Sequence, residues 1–138
     1  MDKPNISVKE YLRQAYRIDH RINSKLEQVS SLRELAVKAT SVLTDMPRKP
    51  SRNAYPTETI IAKMIDLEDE INNDIDTLVD IKAEIVNVIK AVEDPELQTV
   101  LELRYLCFKT WKQISVEMGY SEQHIYRLHG RALDLISF

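Results

Sequence analysis

A chain of 138 residues, 43% hydrophobic and 30% charged, has the composition of a folded soluble protein and not of a disordered, collagen-like or disulfide-stapled one. Two glycines, Gly119 and Gly130, and no β-branched runs bounded by turn residues exclude an ordinary β architecture, so an all-α fold is expected. A net charge of −3 does not by itself suggest a nucleic-acid binder. That total hides an asymmetry. Residues 1–56 carry 11 Lys and Arg against 6 Asp and Glu, residues 57–93 carry 3 against 10, and residues 94–138 carry 5 against 6. Consecutive segments of opposite sign point first to helix pairing. Met1–Val8 lacks the pattern of a signal peptide and no apolar run approaches 18 residues, so a cytoplasmic location is expected. Cys107 has no cysteine partner, and among Tyr105, Leu106 and Phe108 it is expected as a buried, inert thiol.

The first expected helix spans about 7–43. Ser7-Val8-Lys9-Glu10 reads as a capping box, with the Ser7 hydroxyl accepting from the Glu10 amide and the Glu10 carboxylate returning the bond. Apolar positions then repeat as the a and d sites of a heptad from Val8, Tyr11, Ala15, Ile18 and Ile22 to Ala39 and Leu43, with Lys25 as the polar fault. Asp45–Pro56 holds three prolines with Ser and Asn, and 44–56 reads as the loop of a hairpin. A second heptad run over about 57–93 has seam positions Thr57, Ile60, Met64, Leu67, Ile71, Asp74, Leu78, Ile81, Ile85, Val88 and Val92, with Asp74 as its fault. With Leu43 folded opposite Thr57, Lys25 falls beside Asp74. The pair then fixes the register of an antiparallel coiled coil, with Leu26 and Ile75 keeping that layer partly apolar. The alternative is that both side chains reach out to solvent. The acidic run Glu68-Asp69-Glu70 with Asp66, Asp74 and Asp76 lacks the glycine-bearing loop of a calcium site, and His20 reads as a surface residue. No cofactor or metal is expected.

Residues 94–138 read as a separate three-helix domain. Asp94-Pro95-Glu96 is a helix start, with Leu97, Val100, Leu101 and Tyr105 inward. Thr110-Trp111-Lys112-Gln113 is a second capping box opening a short helix to Met118. Gly119 supplies the left-handed residue that ends it, and Ser121 caps a last helix to about Ile136. Two helices crossing at a tight turn need apolar residues at Ile114, Met118, Tyr120, Ile125 and Leu128 and a small residue at the closest approach, here Ser115. This pattern is that of a helix-turn-helix. Outward on the last helix stand Glu122, Gln123, His124, Tyr126, Arg127 and Arg131, with Gln123, Arg127 and Arg131 in one i, i+4 stripe. Gln pairs with adenine edges and Arg with guanine edges in the major groove. Ser121, Lys109 and Lys112 are suited to phosphate contacts. The alternative is a plain three-helix domain with a solvated polar face. Trp111 reads as a core anchor rather than a stacking platform, and His129 as structural or surface.

The stretch LELRYLCFKTWKQISVEMGYSEQHIYRLHGRAL resembles region 4 of sigma-70-type factors: Leu103-Arg104-Tyr105-Leu106, Trp111 to Ile114, Gly119-Tyr120-Ser121 and Arg131-Ala132 fall in the order of that pattern over about residues 94–136. The whole chain, with KLEQVSSLRELAVKAT and the acidic second helix, also looks like small sigma-like phage and prophage proteins of the ArpU and RinA type. That resemblance implies control of phage gene transcription in a bacterial host, and implies that Gln123, His124, Tyr126 and Arg127 sit where region 4 touches its promoter element. Glu122 and Tyr126 make this helix less basic than is usual there, and no segment corresponds to the one that melts DNA, so a complete sigma factor is not expected.

The expected function is sequence-specific DNA binding for transcription regulation, with Lys109, Lys112, Ser121, Glu122, Gln123, His124, Tyr126, Arg127 and Arg131 as the contact set. A near-neutral module binds DNA weakly alone, so a homo-oligomer, first of all a dimer on two half-sites, is expected beside double-stranded DNA, with host RNA polymerase as a further candidate partner and no membrane. The alternatives are a small-terminase-like DNA-packaging subunit, which forms a ring, and a polymerase- or sigma-binding adaptor that never touches DNA. No nucleophile–base pair or phosphate loop marks an enzyme.

Overall fold

The computed structural model describes the backbone of residues 7–45 and 57–137 and the side chains of 7–40 and 57–137. Among the described residues the structure is all helix with no strand: α1 (Val8–Leu12), α2 (Gln14–Asp45), α3 (Thr57–Lys90), α4 (Pro95–Tyr105), α5 (Trp111–Met118) and α6 (Glu122–Leu135). Residues 46–56 of the expected loop, and Leu43 as a seam position, lie outside the described residues. The chain divides into two compact units, His20–Asp76 and the remainder, which joins the segments 1–19 and 77–138.

The unit His20–Asp76 is the hairpin of α2 on α3. Its seam is the expected one: Ile22, Val29, Ile60 and Ile71 are buried, as is Asp74, and Leu32, Ala36, Ala39, Met64 and Leu67 are half-buried. The two polar faults meet. Lys25 Nζ donates to Asp74 Oδ2 at 2.9 Å, Arg21 adds a second cation on Asp74 through Nη2 at 3.0 Å and Nε at 3.3 Å, and Glu70 lies 3.2 Å from Lys25. Charge-assisted contacts hold the Asp74 carboxyl below the usual carboxylate range, Arg21 first and Lys25 next. The pairing is directional, and a shift by one turn would separate it, so it specifies register more than it adds stability. The expectation for Leu26 and Ile75 fails. They are 49% and 41% exposed, because they flank the seam instead of closing it.

In the other unit, the segments 7–19 and 77–90 of the long helices share one core with α4, α5 and α6. Leu12, Ala15, Ile85, Ile89, Val92, Leu97, Val100, Leu101, Tyr105, Ile114, Ile125, Leu128 and Ala132 are all within 3% of full burial. Leu12 and Ile89 lie off the heptad seam, yet are buried. Here the helices pack on each other and also on the C-terminal helices, so the apolar stripe must be wider than a coiled-coil seam.

Local sequence explains the helix ends. Ser7 Oγ accepts from the Glu10 amide at 3.1 Å, but the return bond of the capping box is absent. The Glu10 carboxylate instead takes Arg17 Nη2 at 2.6 Å. Between α1 and α2, Arg13 relaxes to φ −78°, ψ −6°, but the i→i−4 bonds run through it, Arg13 N–H to the Lys9 carbonyl and Arg17 N–H to the Arg13 carbonyl, both at 3.1 Å, and the Gln14 side-chain amide adds a bond to the Tyr11 carbonyl at 3.0 Å. Helix α3 stops at Lys90, short of the expected 93. The carbonyl of Lys90, its last residue, and that of Val92 just beyond it accept from the Gln98 side chain. Asp94 Oδ1 then caps α4, accepting from Glu96 N at 2.9 Å and Leu97 N at 3.3 Å, with Pro95 in the first turn.

Candidate nucleic-acid interface

The turn before α6 is built as its residues require. Thr110 and Gln113 complete a capping box, Thr110 N donating to Gln113 Oε1 at 2.8 Å and Gln113 N to Thr110 Oγ1 at 3.1 Å. Gly119 takes φ 74°, ψ 27°, the left-handed region that glycine enters without steric cost, and its N–H closes on the Ser115 carbonyl at 3.0 Å. Ser121 Oγ then caps α6 by accepting from His124 N at 3.1 Å. Ser115, the small residue expected at the crossing, donates its hydroxyl to the Tyr120 carbonyl and so pins the turn.

Helix α6 presents Ile125, Leu128, His129 and Ala132 to the core. The opposite side carries Glu122, Gln123, Tyr126, Arg127 and Arg131, all exposed. Gln123, Arg127 and Arg131 fall on one stripe four residues apart, and none has a hydrogen bond or ion pair among the described residues. Three unengaged donors in a row on one helix face are available to a ligand without breaking anything first.

The remaining residues of the expected set are placed differently from one another. Lys112 is exposed on α5 and has no ion pair among the described residues. Lys109 is half-buried and salt-bridged to Glu117. His124 is half-buried, its ring edge-on to Tyr120 at 4.5 Å. Glu122 and Tyr126 are coupled through a long contact of 3.5 Å from the tyrosine hydroxyl to the carboxylate, and the Tyr126 ring also meets Trp111 edge-on at 5.4 Å.

Two expectations about this region are corrected. Tyr120 is 37% exposed and outside the core. Its hydroxyl donates to Glu96, so it ties the turn to α4 from the surface. Cys107 is exposed, not buried. Helix α4 ends at Tyr105, the amides of Leu106 and Cys107 both close on the Glu102 carbonyl at 3.0 Å, and Phe108 adopts φ 59°. That left-handed residue turns the Phe108 ring onto the core and leaves the Cys107 side chain outside.

Behind this face of α6 lies a polar-aromatic cluster. The Tyr105 hydroxyl and His129 Nε2 are 2.6 Å apart, and His129 is only 7% exposed. Burial, helped by the charges of Lys9 and Arg104, pushes the His129 imidazole down to about 4. Burial likewise pushes Tyr105 up to about 12. Both are neutral at pH 7 and share one hydrogen bond. Trp111 meets His129 edge-on at 4.6 Å, the Arg104 guanidinium lies over the indole at 4.3 Å, and Arg104 Nη1 donates to the Lys109 carbonyl at 2.9 Å. Trp111 is thus clamped from three sides as an anchor of α5. The position of His129, one residue after Leu128 and four after Ile125, was the signal that it faces inward.

No group of described residues could hold a metal ion, and none of the described helices is long and apolar enough to cross a membrane. Taken together, the chain is a helical hairpin joined to helices that end in a tight helix–turn–helix with an unpaired polar stripe. It belongs to the family described as Protein of unknown function (DUF1492), which matches residues 53–136. No curated protein and no solved structure matches it.

Proposed function

We propose that this protein is a sequence-specific DNA-binding regulator of transcription that reads the major groove with α6. The resemblance of residues 94–136 to sigma region 4, and of the whole chain to sigma-like phage regulators, supports phage or prophage genes as the setting. The observation that carries the reading is the Gln123–Arg127–Arg131 stripe: exposed, unengaged, and held rigid by a buried face directly behind it. Its side chains are those that make two-point contacts with adenine and guanine edges. Ser121, at the helix start, and Lys112, on the preceding helix, supply phosphate contacts. Lys109 joins only if its salt bridge to Glu117 opens, which makes it the weakest member of the set.

The test is selection of bound duplexes from a random pool, followed by binding measurements on the recovered site at fixed salt. Arg127→Ala is expected to weaken specific binding by about 1–3 kcal/mol and to relax the preference at one base pair. Lys112→Ala is expected to weaken all duplexes alike and to lower the salt dependence by about one phosphate contact. Failure to enrich any sequence, or an Arg127→Ala protein that binds like the parent, removes α6 as the reading element.

A further inference from the structure

The unit His20–Asp76 is lopsided. Its two long flanks differ in chemistry, although either could have been solvated equally well. On one flank, the e and b heptad positions hold Leu26 and Val37 on α2 and Ile61, Ile65 and Ile75 on α3, which are 49%, 61%, 45%, 51% and 41% exposed. Among the described residues the one ion pair on that flank is Arg33 with Glu68, at 4.0 Å, with side chains 61% and 50% exposed. The opposite flank carries Arg21, Lys38, Lys63, Asp66 and Glu70, with Leu35 as its one exposed large apolar residue among the described residues. These five large apolar side chains lie in two groups, Leu26 with Ile75 and Val37 with Ile61 and Ile65, on either side of Arg33 and Glu68, and apolar exposure of this kind on one side of a small unit marks an association surface.

We propose that this flank is where a second copy of the chain docks, forming a four-helix bundle about a two-fold axis running along the hairpin. The charge pattern selects this occupant and this axis. A two-fold along the helices sets α2 of one copy against α3 of the other, so Leu26 meets Ile75 of the second copy, and Val37 meets Ile61 and Ile65 of the second copy. In the middle, Arg33 faces Glu68 of the second copy, twice by symmetry. The pairing within one copy, at the limit of contact and largely exposed, can be shared across the axis without an unpaired charge. A two-fold across the helices at the level of this pair would instead set Arg33 against Arg33 and Glu68 against Glu68. Facing helices run antiparallel throughout, as in an up-and-down bundle. His20 and Asp76, where the unit joins the rest of the chain, lie at one end of the hairpin, and the chosen axis leaves both copies' joins at that same end.

The inference does not depend on DNA binding, because its readout is mass in the absence of DNA. The full chain is expected to sediment as a dimer at micromolar concentration. Arg33→Glu and Glu68→Arg are each expected to weaken that dimer by at least about tenfold, because each sets two like-charged pairs face to face. An equimolar mixture of the two variants is expected to restore the dimer as a heterodimer, since every facing pair is then opposite in sign. Ile65→Glu, at a position solvent-facing in a single copy, is expected to dissociate the dimer with helicity unchanged. Leu35→Glu, on the other flank, is expected to leave the mass as it was. A monomeric parent, a ring of many copies, or a dimer indifferent to both charge reversals overturns the proposal.

Discussion

Acid should weaken the C-terminal core well above the range where carboxylates titrate, and His129 sets the window. Unfolded, its imidazole takes up a proton near pH 6.5; folded, burial beside Tyr105 and Trp111 holds it neutral down to about 4. As pH falls through 6.5 the unfolded chain binds a proton that the folded chain refuses, so stability drops. The loss levels off once the folded imidazole protonates too. At about 1.4 kcal/mol per pH unit over that interval, the total approaches about 3 kcal/mol. Little of it is screened, because His129 is 7% exposed. Asp74, with a carboxyl held below its ordinary value by Arg21 and Lys25, gives up its contribution only at lower pH, so the two effects separate. Trp111, the one tryptophan and 4.6 Å from the His129 ring, reports on this core directly. Urea unfolding followed by its fluorescence between pH 7 and pH 4 should show the midpoint falling steadily. His129→Gln keeps a hydrogen-bonding group for Tyr105 but cannot titrate, and should flatten that slope even if it lowers stability overall. A parent protein equally stable at both ends of the range, or a glutamine variant with the parent's slope, would refute the reasoning.

Other expectations follow from the geometry. Gly119→Ala should cost about 1 kcal/mol, seen as a lower Tm, entirely from the positive φ, since nothing lies within 4 Å of the added Cβ. Asp74→Ala should destabilise the hairpin by about 1–3 kcal/mol by stripping Arg21 and Lys25 of their shared partner, while leucine at both 25 and 74 should recover most of that loss and weaken the register; denaturant titration by circular dichroism measures both. Thr110→Ala removes the cap of α5 and should cost about 1 kcal/mol in the same assay. The Cys107 thiol should react with a colorimetric thiol reagent in the native protein nearly as fast as in denaturant, because it is exposed.

Much of this molecule is written in local sequence. The capping residues Asp94, Thr110 and Ser121 and the glycine at 119 each act within a few residues of themselves, so the ends of α4, α5 and α6 could be placed without knowing what packs against them. The heptad seams, with Lys25 and Asp74 as matching faults, fixed the antiparallel register for the same reason: a strict period and a single complementary pair leave one alignment. The outward stripe of α6 follows from helical periodicity alone. What the linear chain could not reveal depends on neighbours distant in sequence. Leu12 and Ile89 are buried because C-terminal helices cover them, Cys107 is turned out by a left-handed Phe108, and Tyr120 leaves the core to bond Glu96. Lys109 is claimed by Glu117, and His129 is kept neutral by a wall of aromatic rings. Periodicity and capping are short-range and legible. Burial, charge pairing and pKa depend on which surfaces meet, and only the folded chain decides that.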